Sequence, residues 1–154
     1  MGVNTYSRGI GDIMTAKEYL KSYRKAMLQI KCKKAQIERL RADLLPRGIS
    51  YTGMPKGSDI VTMADTFARL DDMERKALAE IEAAQKQADD VLATINSVSR
   101  DDYKLILMDR YVLNMGGDDV AQDVGYVKRH VYRMHGSALD KVDRILEHAQ
   151  RKCG

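Results

Sequence analysis

Asp118 to His135 reads DDVAQDVGYVKRHVYRMH. Val120, Ala121 and Val124 fall at i, i+1 and i+4, the apolar stripe of a short helix, and Val131 and Met134 fall at i and i+3 on a second. Ala121 is small enough for two helices to cross at close range. Gly125, four residues later, can take the positive φ that ends the first helix sharply. Val131 then closes a small core, which leaves Lys128, Arg129, Tyr132 and Arg133 on the opposite face of the second helix. The pattern predicts a helix-turn-helix. A helical hairpin with a merely solvated cationic side has the same apolar spacing. The gathering of two Arg, one Lys, one Tyr and one His within six residues favours a nucleic-acid surface.

On either side of this stretch the periodicity remains helical. Ser99 with Asp102 is a capping signal, and Tyr103, Ile106, Leu107 and Tyr111 supply the stripe of a helix ending near Leu113, where Asn114-Met115-Gly116-Gly117 breaks it. Beyond the motif, Ala138, Leu139, Val142, Ile145, Leu146 and Ala149 form an amphipathic helix. Gly136 costs that helix about 1 kcal/mol relative to Ala and marks a place for a kink or break.

Farther upstream lie two long series of a different kind. Thr15 with Glu18 fits a capping box that opens a helix. Tyr19, Tyr23, Ala26, Ile30, Lys33, Ile37, Leu40 and Leu44 follow at steps of four and three, seven of the eight apolar, up to Pro46. A helix packed on a globular core would show a wider stripe, so the narrow seam points to a coiled coil. The segment 46–58, PRGISYTGMPKGS, holds both prolines and three glycines and is a turn or hinge. Its Arg47 and Lys56 fit solvated loop charges or phosphate contacts. A second seam runs Ile60, Met63, Phe67, Leu70, Glu74, Ala77, Ile81, Ala84, Ala88, Val91 and Ile95, ten of the eleven apolar, with small alanines in its later half. Two such helices joined by 13 residues can fold back on each other as an antiparallel hairpin.

Charge is unevenly spread along these segments. Residues 14–58 carry 11 Lys/Arg against 3 Asp/Glu, residues 59–97 carry 4 against 9, and residues 98–154 carry 10 against 9. The acidic second helix can neutralise the basic first one by pairing with it, and the basic helix can also lie on nucleic acid; the two uses are compatible.

The fold expected is therefore all-α, a long antiparallel coiled-coil hairpin followed by a C-terminal helix-turn-helix. Its parts are a flexible extension at 1–13, the hairpin at 14–97 and the DNA-binding domain at 98–154. No apolar run approaches the roughly 20 residues that cross a bilayer, and no signal-peptide core is visible. Cys32 and Cys153 have no partner pattern and read as reduced thiols, so a cytoplasmic protein is expected. Catalysis is not expected: the chain has no phosphate-cradling glycine motif and no nucleophile-base arrangement. His130 and His135, five residues apart, do not share a helix face for a metal. No cofactor is called for.

Read across Arg110 to Leu139, RYVLNMGGDDVAQDVGYVKRHVYRMHGSAL, the chain resembles the sigma-factor region-four type of helix-turn-helix. More closely, it is similar to the ArpU/RinA-type phage transcriptional regulators of Gram-positive bacteria. The likeness extends to MTAKEYL at Met14–Leu20 and GMPKGSD at Gly53–Asp59, and so covers most of residues 14–146. It implies a phage or prophage protein of the bacterial cytoplasm that binds promoter DNA and activates late genes. The implied DNA-reading residues are Lys128, Arg129, His130, Tyr132 and Arg133. Two departures stand out: Gly116-Gly117 occupies the place of a Ser-Trp-like pair, and Val127 stands where Ser or Thr caps the recognition helix.

These readings give a sequence-specific regulator whose partner is double-stranded DNA. Arg129 and Arg133 are positioned for guanine, Lys128 for phosphate, and Arg110 and Lys141 for added backbone contacts. The hairpin would serve homo-oligomer assembly or contact with host RNA polymerase. The rival is a structural or packaging adaptor resembling a phage small terminase subunit, which also joins a helix-turn-helix to helical oligomerisation segments.

Overall fold

The computed structural model describes the backbone of residues 5–8, 12–44 and 57–153, and the side chains of residues 14–43 and 64–152. Two strands, β1 (Thr5–Arg8) and β2 (Asp12–Thr15), pair antiparallel with Thr5 opposite Thr15 and Arg8 opposite Asp12. They occupy the stretch expected to be a flexible extension. Among the described residues, the other regular elements are helical: α1 (Ala16–Leu44), α2 (Gly57–Asn96), α3 (Asp101–Leu107) continued by a π-helical turn (Met108–Val112), α4 (Gly117–Val124) and α5 (Lys128–Cys153). Arg47 and Lys56, with most of the Pro/Gly segment, lie outside the described residues. No helix among the described residues is long and apolar enough to cross a membrane. Cys32 is a free, exposed thiol.

The capping box forms as its spacing requires. Thr15 N–H donates to Glu18 Oε2 at 2.9 Å, and Glu18 N–H donates to Thr15 Oγ1 at 3.2 Å. Two of the donors that a helix start leaves without partners are thereby satisfied. The same hydrogen bonds hold the Glu18 carboxyl below the usual range.

The chain divides into two compact units, Met27–Gln85 and the combination of Met1–Ala26 with Lys86–Gly154. Within Met27–Gln85, seam positions Ile30, Ile37, Ala77 and Ala84 are buried. The two polar seam residues find partners on the other helix: Lys33 Nζ lies 2.5 Å from Glu80, and Arg41 grips Glu74 through Nε at 2.6 Å and a second guanidinium nitrogen at 3.1 Å. Partner numbers fall on α2 as they rise on α1, so these stretches run antiparallel. Phe67, a seam position by spacing, is half exposed.

The other unit has one continuous core. It gathers Ala16, Tyr19 and Leu20 from α1, Val91 and Ile95 from α2, Val98, then Tyr103, Ile106, Leu107 and Tyr111, with Val120 from α4 and Val131, Met134, Ala138 and Val142 from α5. The core therefore reaches well beyond the segment 98–154, drawing on the ends of both long helices. Burying each of its Leu, Ile and Val side chains is worth about 1.5–3 kcal/mol. Polar contacts accompany it: the Tyr19 and Thr94 hydroxyls are buried 3.0 Å apart, and the part-buried Gln87 Nε2 donates to Ser22 Oγ at 3.0 Å.

Two local expectations, the cap at Ser99 and the break at Gly136, are corrected, and a third holds. Ser99 does not cap α3. Arg100 takes the N-cap position without a side-chain cap, and its guanidinium holds Asp102 at 2.6 and 3.1 Å. The following helical stretch ends at Leu113, as its spacing predicts, and the break begins with Asn114 at φ 57°, a region asparagine tolerates better than most side chains. Its Oδ1 accepts from Arg24. Finally, α5 runs unbroken through Gly136, because the buried stripe Val131, Met134, Ala138 and Val142 continues on one face across it.

Candidate nucleic-acid interface

The segment that closes this core is α4, a tight turn and α5. Gly125 sits at φ 73°, and the Tyr126 N–H donates to Ala121 O at 3.1 Å, the long bond of a Schellman ending. A Cβ at Gly125 would meet nothing within 4 Å, so the backbone angle alone demands glycine there. Val120 and Val131 are buried and Ala121 is partly so, as the helix-crossing spacing requires.

At Gly117 the demand is space. A Cβ there would stand 2.9 Å from the Tyr132 hydroxyl and 3.7 Å from Lys128 Cε. The start of α4 therefore fits beneath two side chains of α5. Tyr132 is half exposed, but its hydroxyl end is held over α4.

The expected site residues separate according to their partners. Lys128 is exposed and ion-paired with Asp118 at 2.7 Å, and this hydrogen bond raises its pKa. Arg129 is exposed and has no ion pair or hydrogen bond among the described residues. Arg133 is exposed; a guanidinium nitrogen lies 3.5 Å from His130 Nδ1, at the outer limit of a hydrogen bond. His130 is half-buried, with the Tyr126 ring edge-on at 5.1 Å. Arg110, on the π-helical turn, donates to Met115 O at 3.3 Å. Lys141 is exposed on α5, eight residues beyond Arg133, which at about 100° per residue turns it about 80° from that side chain. Arg129, Tyr132 and Arg133 thus share one exposed stripe, and Arg110 and Lys141 lie off it.

Several residues outside the expected set shape this surface. Tyr126 and Val127 are exposed at the turn. Val127 O accepts from the N–H groups of His130 at 2.9 Å and Val131 at 3.1 Å, so an apolar residue does occupy the opening position of α5. Behind the surface, Tyr111 Oη and His135 Nε2 are 2.9 Å apart with their rings stacked. Burial pushes the Tyr111 phenol up to about 12 and lowers His135.

Asp109, on the π-helical turn, is buried, with Oδ2 lacking a hydrogen-bond partner. Burial first, and the Asp123 carboxylate of α4 second, push it up to about 6. An open depression beside it is lined by Met115, Asp119, Gln122 and Asp123. Its negative charge is wrong for phosphate, and no group of three or more potential metal ligands exists among the described residues. The guanidiniums of the cationic stripe are fixed positive donors, so what the stripe offers is hydrogen bonding to an anion or to base edges. Comparison with protein-family models, curated proteins and solved structures finds no match to this chain.

Proposed function

We propose that this chain is a sequence-specific, double-stranded-DNA-binding transcription regulator in which α4, the Gly125 turn and α5 act as a helix-turn-helix. One observation carries the reading: the first two turns of α5 present Arg129 and Arg133 outward, without a carboxylate partner, while Val131 and Met134 on the other face anchor the helix in the core. Unpaired guanidiniums on a supported helix suit bidentate contact to guanine in the major groove. The likeness to ArpU/RinA-type regulators gives the setting, late promoters of a phage in a bacterial cytoplasm.

In this reading α1 and α2 form a hairpin that joins copies of the chain or contacts host RNA polymerase. A monomer by light scattering at every concentration removes the first of these uses and leaves the second. The regulator itself is tested by selecting bound duplexes from a random DNA pool at near-physiological salt, where non-specific charge attraction fades. Enrichment of one sequence is expected. Recovery of an unenriched pool, with a ring-sized mass in solution, instead identifies a packaging adaptor.

A further inference from the structure

Val127 serves neither of the purposes a residue at its position ordinarily has. It opens α5 through its carbonyl, yet a valine side chain has no oxygen to accept from the N–H groups of the first turn. It is also no part of the core: at 74% exposure it is the most exposed large apolar side chain among the described residues. Beside it in the chain stand the half-exposed Tyr126 and, two residues on, Arg129, which has no carboxylate partner. A residue that weakens its own helix and buries nothing within the chain is explained by what it meets outside.

On the reading of α5 as the DNA-reading helix, we infer that Val127 reads the 5-methyl group of a thymine in the major groove, next to the base pair contacted by Arg129. The thymine methyl is the one apolar feature on a major-groove base edge, and a branched aliphatic side chain at the mouth of the helix is its chemical complement. The inference adds a specificity-determining residue that forms no hydrogen bond.

The test uses the full chain and the duplex selected from the random pool, with each thymine replaced in turn by deoxyuridine, which lacks only the methyl group. The parent should bind about fourfold more weakly when one particular thymine is replaced, the equivalent of about 0.8 kcal/mol for one buried methyl. Val127→Ser should melt higher than the parent by about 2–4 °C, because it restores the cap, and should bind the thymine and uracil duplexes equally. Val127→Thr, which caps and keeps one methyl, should retain part of the discrimination. Two results overturn the inference while leaving the regulator intact: sequence-selective binding with no sensitivity to deoxyuridine anywhere, or full discrimination persisting in Val127→Ser. Absence of any sequence selectivity overturns the DNA-reading assignment and this inference with it.

Discussion

Lysine and arginine stand in two different settings in this molecule, between the paired stretches of α1 and α2 and at the opening of α5. Between the long helices, Lys33 meets Glu80 and Arg41 grips Glu74. Those cations are committed to partners in the same chain. At the start of α5, Lys128 alone is committed, to Asp118, while Arg129 and Arg133 reach solvent without a carboxylate. Net charge does not reveal this difference, since residues 98–154 are close to neutral and the excess of positive charge lies in residues 14–58. The proposed binding surface rests on two features together: Arg129 and Arg133 lack a carboxylate partner, and the other face of their helix is held in the core.

The firmness of that support gives the largest expected effect. Leu107 is fully buried in the core beneath α4 and α5, so Leu107→Ala should cost about 2–5 kcal/mol in chemical denaturation. Arg41→Ala, at an exposed pair, should change stability far less, and an equal loss for the two would erase the contrast.

A second effect concerns pH. The Asp109 carboxyl titrates near 6 in the fold and near 4 when unfolded, so the folded state binds its proton more tightly. That contribution is fully present below about pH 4 and is lost as pH rises through about 6. His135 acts in the opposite direction: its pKa is lowered by burial, with Arg110 and Lys17 adding to the effect, so its contribution is present above about 6.5 and is lost as pH falls. Asp109→Asn should remove the first trend and leave the second. Its melting temperature should rise between pH 5 and 7 and exceed that of the parent at pH 7.5. A parent-like profile in Asp109→Asn would exclude Asp109 as the source.

The smallest effect probes the committed cation. Asp118→Asn releases Lys128, which should then meet a phosphate, raise DNA affinity and steepen the salt dependence of binding by about one unit of logarithmic slope. An unchanged slope would mean that Lys128 points away from DNA.

Much of this organisation is legible in the residues themselves because it follows from local rules. The Thr15–Glu18 box, the seam of Ile30 and Ile37 against Ala77 and Ala84, and the turn at Gly125 depend on spacing and on backbone angles that few residues adopt. What spacing does not reveal is set by partners far away or by irregular backbone. The π-helical turn shifts the register after Leu107 and carries Asp109 inward with Tyr111, leaving Arg110 outside. Arg100 takes the carboxylate that would have completed the Ser99 signal. Gly116 and Gly117 look like helix breakers, yet Gly117 begins α4, with the hydroxyl of Tyr132, fifteen residues later, close over it. The cationic face was visible as a composition; its division into paired Lys128 and unpaired Arg129 needed Asp118 in space.

The central claim, that the opening of α5 reads base pairs, is tested most directly with Arg129→Ala and Arg133→Ala. Each should be titrated on the selected duplex and on all its single-base-pair variants at near-physiological salt. Each substitution should cost about 1–3 kcal/mol on the preferred sequence and abolish discrimination at one base pair, leaving the others intact. Binding of every sequence as tightly as by the parent, in both variants, would contradict it.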